Sequence, residues 1–198
     1  MSKRVDHVLV IDIEATCWDL GQQPKGEVSD VIEIGVCPVV VSTLTRLEKR
    51  SILIRAERST VSPFCTQLTT LTQEQVDAGV TFAEACKVLE KEYRSADRVW
   101  ASFGDYDRKA IEGQCKDTGV KYPFGPRHLN VKTLFALMRG LPHEVGTAQA
   151  VEMCGRAMEG THHRGHDDAW NIAGVLIDVL KAARGGRGSE TGGGYKVR

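Results

Sequence analysis

The sequence carries no excess of either charge: 26 Lys plus Arg stand against 26 Asp plus Glu in 198 residues. A chain-wide positive field, the footprint of non-specific nucleic-acid binding, is therefore excluded, and any basic surface must be local. There is also no apolar run of about 18 residues or more, so no helical membrane span is expected. The basic start, MSKR, leads into an apolar run that Asp12 and Glu14 interrupt, which a secretory signal would not tolerate. Six cysteines, at 17, 37, 65, 86, 115 and 154, include no CxxC pair. That excludes a zinc ribbon, argues against a disulfide framework, and reads as reduced thiols in a cytoplasmic protein. No internal repeat is present, and the length suits one sizeable core rather than two.

What is present is a clear order of elements. VLVIDIE (8–14) is β-branched and apolar on both faces until its acids, the pattern of a central, doubly covered strand. After the loop GQQPKGE come VIEIGVCPVVV and SILIR, predicting a three-stranded antiparallel start. Thr72 with Gln75, and Thr81 with Glu84, are capping boxes that open two helices, the second running to Tyr93. RVWASF predicts a strand, DRKAIEGQCKDTG a helix closed by Gly119, LNV a short strand and KTLFALMRG a helix closed by Gly140. DDAWNIAGVLIDVLKAAR is the last helix. The expected fold is α/β, a mixed central sheet flanked by helices, in one domain over 1–184. The Gly-rich segment 185–198 is expected to be a disordered tail.

The acids sit where chemistry is expected. Asp12 and Glu14 are two apart in a strand, so both leave one face near its C-terminal end. Two like charges about 4 Å apart at an effective dielectric of ~20 repel by about 4 kcal/mol, which calls for a counter-charge. Hard carboxylate oxygens without thiolates nearby favour Mg²⁺ or Mn²⁺; the alternative is a strand end turning into solvent. In FGDYD, a helix starting after Gly104 puts Asp105 at the N-cap, where it is expected to cap backbone N–H groups. Asp107 falls in line with Ala110, Ile111 and Gln114, the inward face, and is the site candidate.

THHRGHDD (161–168) has two registers, because His162 and Asp167 are as far apart as His163 and Asp168. The helix that follows separates them. Asp168 aligns with Ile172, Val175, Leu176 and Val179, the apolar stripe, whereas Asp167 aligns with Asn171, Gly174 and Asp178 and is expected to face outward. His163 then becomes the partner, and His162, His166 and Asp167 bystanders. A zinc site on His162, His163 and His166 is the competing reading, disfavoured by adjacent histidines pointing apart and no cysteine nearby. The remaining histidines are isolated from one another and read as surface or satisfied-core residues.

Taken together, DxE on a first strand, an Asp opening a central helix and His-x4-Asp opening the last helix resemble the DEDDh 3'-5' exonucleases of the ribonuclease H-like fold. VIDIEATCWD, VIEIGVCPVVV, FCTQLTTLTQEQVDAG, FGDYDRKAIEGQC and HHRGHDDAWNIA are similar to successive blocks of the Eri-type branch, which includes histone-mRNA exonuclease-like and KapD-like proteins. The resemblance covers residues 7–182. It implies that Asp12, Glu14, Asp107 and Asp168 hold two divalent cations, Mg²⁺ or Mn²⁺, and that His163 is the general base. It implies a nucleotide pocket of Ala15, Thr16, Phe64, Leu68 and Tyr106, the last as a stacking platform.

The implied substrate is a single-stranded nucleic acid 3' end, RNA favoured over DNA, cut to nucleoside 5'-monophosphates. A DNA-directed exonuclease is the near alternative, and a non-catalytic nucleic-acid-binding module the distant one. With neutral charge and no room for a separate binding domain, targeting is expected to rest on the catalytic domain or on a protein partner. Arg108, Lys109, Arg164 and, in the tail, Arg187, Lys196 and Arg198 are candidates for local phosphate contacts.

Overall fold

The computed structural model describes residues 4–185, so the expected tail and its three basic residues lie outside the described residues, apart from Gly185. Strands β1 (His7–Ala15), β2 (Val31–Val40), β3 (Thr45–Arg46), β4 (Arg50–Leu53), β5 (Val99–Ser102) and β6 (His128–Asn130) form one sheet in the order β3-β2-β1-β5-β6, with β4 also on β2. β1 to β4 pair antiparallel, whereas β1–β5 and β5–β6 pair parallel, which makes the sheet mixed, as expected.

Among the described residues seven helices cover the two faces: α1 (Pro63–Thr69), α2 (Gln73–Asp77), α3 (Phe82–Tyr93), α4 (Tyr106–Thr118), α5 (Val131–Arg139), α6 (Thr147–Met153) and α7 (Gly165–Gly185). Both capping boxes form, at Thr72 and Thr81, and Gly119 and Gly140 close α4 and α5 in the left-handed conformation. α1 starts on Ser62, whose side chain accepts the Cys65 N–H, followed by Pro63 at its first position.

Alternation along β1 divides the core. Leu9, Ile11 and Ile13 pack with Phe82, Leu89 and Ile111 from α3 and α4, while Val8 and Val10 pack with Phe135, Val151, Ile172 and Leu176 from α5, α6 and α7. Asp12 and Glu14 share the parity of Val8 and Val10, so they lie on the α7 side. Across β2 the register pairs Asp12 with Gly35 and Glu14 with Glu33, putting Glu33 and Gly35 on that side as well. All six cysteines are free, and no helix among the described residues is long and apolar enough to cross a membrane.

Candidate active site

The cleft forms where the strands part. β5 pairs with β1 only through Val8–Val10, so one edge of β1 is free of a strand from there on. The chain leaves β5 through Gly104, at a φ of 111° open only to glycine, and enters α4. Asp107, in the first turn, is buried, and its Oδ1 accepts the Ile13 N–H at 3.0 Å. The helix thus supplies the hydrogen bond that a strand does not, and fixes an acid against the DxE pair in doing so. Asp105 holds the N-cap position but makes no cap hydrogen bond; its carboxylate instead accepts from Arg108 at 3.2 Å, which corrects the capping expectation.

Asp168 comes in from the first turn of α7, buried as its helix face requires. Its Oδ2 accepts the His163 N–H at 2.8 Å, and His162 Nδ1 lies 3.0 Å from Oδ1. The two imidazoles stack with centroids 4.0 Å apart, and both line the cleft. His162 is therefore not the bystander that the helix register suggested. His163 reaches its place through a left-handed backbone, φ 63°.

Two more expectations are corrected in this segment. Asp167 points inward: it accepts the Thr161 N–H at 2.7 Å, pairs with Lys49, and is 7% exposed. The polar stripe of α7 is covered by the 159–161 segment, whose backbone bonds Asn171 and Asp167, so polarity there marks satisfied burial and not solvent. His166 and Arg164 turn to Glu33, at 2.8 and 3.2 Å, so a three-histidine zinc site is not assembled and Arg164 is committed elsewhere than to phosphate. Glu33 was not singled out from sequence. Its signal was an acid inside an otherwise apolar strand, readable only once the strand register is known.

One oxygen each of Asp12, Glu14 and Asp168 lie within 4.8 Å of one another. Burial first, then neighbouring carboxylates, push the Asp12 carboxyl well above the usual range. Burial, then the Asp168 and Glu33 charges, push Glu14 up to about 8. Burial raises Asp107 to about 6, opposed by hydrogen bonds from the Ile13 N–H and Ser102. Hard carboxylate oxygens gathered this closely fit divalent cations held by Asp12, Glu14 and Asp168, with Asp107 beside them.

This electrostatic frustration has a thermal signature. A carboxyl whose folded-state pKa exceeds its unfolded value stabilises the fold below the unfolded value, near 4, and that stability is lost as pH rises through the folded one. For Asp107 and Glu14 the window runs from about 4 to about 6 and about 8. Glu33, held low by Ser51, His166 and Arg164 against the effect of burial, has the opposite sign and loses its contribution in acid. The metal-free protein should therefore melt at falling temperatures between about pH 5 and about pH 8, and Mg²⁺ or Mn²⁺ should raise the melting temperature more at the higher pH. A metal-induced shift that is the same at both pH values, measured by scanning fluorimetry, contradicts this account.

The cleft measures about 330 Å³ and is lined by Asp12, Glu14, Asp107, Asp168 and both histidines, with Ala15, Leu68 and Tyr106 from the expected nucleotide pocket. Tyr106 is 63% exposed, open to a stacking partner. The other two differ. Thr16 is 1% exposed, its hydroxyl bonded to Ser59 and to the Asp30 N–H and its own N–H to the Asp30 carbonyl, so it belongs to the fold. Phe64 lines a separate hollow of about 350 Å³ with Trp18 and Pro24 instead of the cleft itself.

Known proteins share this sequence pattern and fold. A family model described as exonuclease matches residues 9–176. The chain is 28% identical over 187 residues to 3'-5' exoribonuclease 1 of Homo sapiens, covering 89% of this chain and 53% of that protein. It is 24% identical over 163 residues to a Bacillus subtilis protein named Probable 3'-5' exonuclease KapD, covering 82% and 78%. The chain thus spans about half the length of the mammalian exoribonuclease 1 proteins it matches. Among solved structures it is similar to the nuclease domain of 3'hExo, a DEDDh family member, bound to rAMP: TM-score 0.80, 28% identity, 89% of this chain and 92% of that one. A full-length 3'-exonuclease structure also superposes with a TM-score of 0.80 at 27% identity, over 92% and 63%. Sheet, helices and the acidic cleft agree with that match: this chain belongs to the exonuclease family and has its DEDDh-type, ribonuclease H-like α/β fold.

Proposed function

We propose that this protein removes nucleotides one at a time from the 3' end of single-stranded nucleic acid, RNA in preference to DNA, with divalent cations, Mg²⁺ or Mn²⁺, at Asp12, Glu14, Asp107 and Asp168. The observation that carries this reading is the convergence of four carboxylates from β1, α4 and α7 with an imidazole in one open cleft. The RNA half is supported by relatives named as exoribonucleases and by the rAMP bound to the similar nuclease domain of 3'hExo.

Bound cations would neutralise the phosphodiester's charge, help generate the nucleophile and stabilise the leaving oxygen. The chain's own groups do the rest. Burial and the adjacent His162 lower the pKa of His163, keeping its imidazole neutral near pH 7, so a ring nitrogen is free to take a proton from the attacking water. Water adds to phosphorus as the bond to the 3' oxygen breaks. The shortened strand keeps a 3' hydroxyl and the released nucleotide a 5' phosphate. Tyr106 and Leu68 flank the space for the terminal base.

The test is a 5'-labelled RNA and a DNA of the same sequence, each with Mg²⁺ and with Mn²⁺. A ladder shrinking from the 3' end, faster for RNA, is expected. No shortening with either metal overturns the exonuclease reading, and faster loss of DNA overturns the RNA preference.

A further inference from the structure

The loop that bears the general base is gripped from behind by one buried carboxylate. Glu33, in the middle of the sheet on β2, is fully buried. It accepts the Arg164 Nε at 3.2 Å, the Gly165 N–H at 3.1 Å and a hydrogen bond with His166 Nδ1 at 2.8 Å. Those are the three residues that follow His163. Its fourth partner is the Ser51 hydroxyl, at 2.5 Å, on β4.

Three features make this more than a satisfied core acid. Glu33 is the cross-strand partner of Glu14, and its charge adds to the repulsion on both Glu14 and Asp12. A neutral side chain at this position would not add to that repulsion, so the charge works against the electrostatics of the cleft. Second, the two side chains that answer it from this segment, the Arg164 guanidinium and the His166 imidazole, come from the residue just before α7 and from its first turn, directly after His163. Third, His163 holds a left-handed φ of 63°, a conformation that is strained for a non-glycine residue and persists only when its surroundings impose it. Upstream, the His163 N–H is tied to Asp168; downstream, each of the next three residues bonds Glu33, with Arg164 also reaching the Thr70 hydroxyl at 3.4 Å. Glu33 is not among the residues lining the cleft, so it acts on substrate only through what it holds.

We infer that Glu33 is a positioning residue: with Arg164 and His166 it clamps the 164–166 segment and thereby sets the His163 imidazole in the cleft. The kinetic part of this inference rests on the exonuclease reading above. The structural part does not.

Glu33→Gln separates the roles, because an amide oxygen in the place of Oε2 still accepts from the Gly165 N–H, and an NH2 in the place of Oε1 can donate to the Ser51 hydroxyl, while the negative charge facing Arg164 and His166 is gone. A base displaced by a fraction of an ångström to 1 Å should lower kcat by about 10- to 100-fold with KM little changed. In a double-mutant cycle, Glu33→Gln should have almost no further effect on kcat in a His163→Ala background. Hydrogen exchange should speed up at the amides of residues 161–166, and not across β1 or the body of α7.

An equal kcat loss from Glu33→Gln with and without His163 overturns the positioning role, as does unchanged exchange in residues 161–166. If the wild type shows no nuclease activity, the exonuclease reading fails while exchange still decides the clamp. If Glu33→Gln does not fold, Arg164→Met loosens the same clamp from the loop side, with Ser51, Gly165 and His166 left on Glu33. It should give the same two signatures at smaller size, and their absence overturns the inference.

Discussion

Asp12→Asn is expected to abolish exonuclease activity and, in the same protein, to raise the melting temperature measured without metal. Asparagine has nearly the same shape, so packing on the α7 face of β1 is kept. What changes is one acid among five: Asp12 lies where the fields of Asp107, Asp168, Glu14 and Glu33 add, and whether held as a charge or as a proton it costs the metal-free fold free energy. Its removal relieves the other carboxyls by about 1–2 kcal/mol, which in a domain of this size is a rise of about 2–4 °C per kcal/mol. The same change takes a carboxylate oxygen from the site proposed for the cations. Loss of several kcal/mol of transition-state stabilisation corresponds to a rate reduction of about a thousandfold or more. Added Mg²⁺ or Mn²⁺ should then stabilise Asp12→Asn much less than the wild type. Melting curves at about pH 8 with and without metal, beside the oligonucleotide assay, check all three parts. A variant that stays active, or that melts below the wild type without metal, contradicts the account.

Local chemistry was legible in the sequence, and long-range cover was not. The capping boxes at Thr72 and Thr81, the glycine stops at 119 and 140, and the doubly apolar β1 are set by residues within a few positions of one another, and the structure has them. The inward faces of Asp107 and Asp168 follow from helix periodicity alone. Asp167 could not be read that way, because its burial depends on Lys49 and on the 159–161 segment folding over a polar stripe. Thr16 needed Asp30 and Ser59 to take up its hydroxyl, and His162 needed the turn at His163 to bring it round to Asp168. α6 has only a glycine at its N-cap, with no side-chain signal to announce it. Glu33 makes the same point at the site: its partners on α7 and the loop before it lie more than 130 residues away, so its role appears only when β2 and α7 are in contact.

That contact depends on two glycines, and Gly35→Ala is expected to be the most damaging single methyl group in the protein. A Cβ at Gly35 would overlap the carbonyl of Gly165 and crowd the N–H of His166, both backbone groups with no rotamer to move. From the other side, a Cβ at Gly165 would come within 3.1 Å of the Asp12 carbonyl and the Gly35 nitrogen. Strand and helix therefore meet backbone to backbone, which is what lets Glu33 reach the Gly165 N–H and lets Asp168 approach Asp12. An alanine at 35 obliges β2 and the start of α7 to part by on the order of 1 Å, enough to misplace Asp168 and the clamped loop together. The expected cost is about 4 kcal/mol or more of stability, with activity down by at least about 100-fold in whatever remains folded. Gly113→Ala is the matched control: Gly113 lies exposed within α4 with open space where its Cβ would be, so alanine there should stabilise by about 0.5–1 kcal/mol through helix propensity. Urea denaturation of the two variants measures the contrast. If Gly35→Ala lost no more than about 1 kcal/mol, or lost stability while keeping full activity, the backbone contact at Gly35 would not be what places the α7 half of the site.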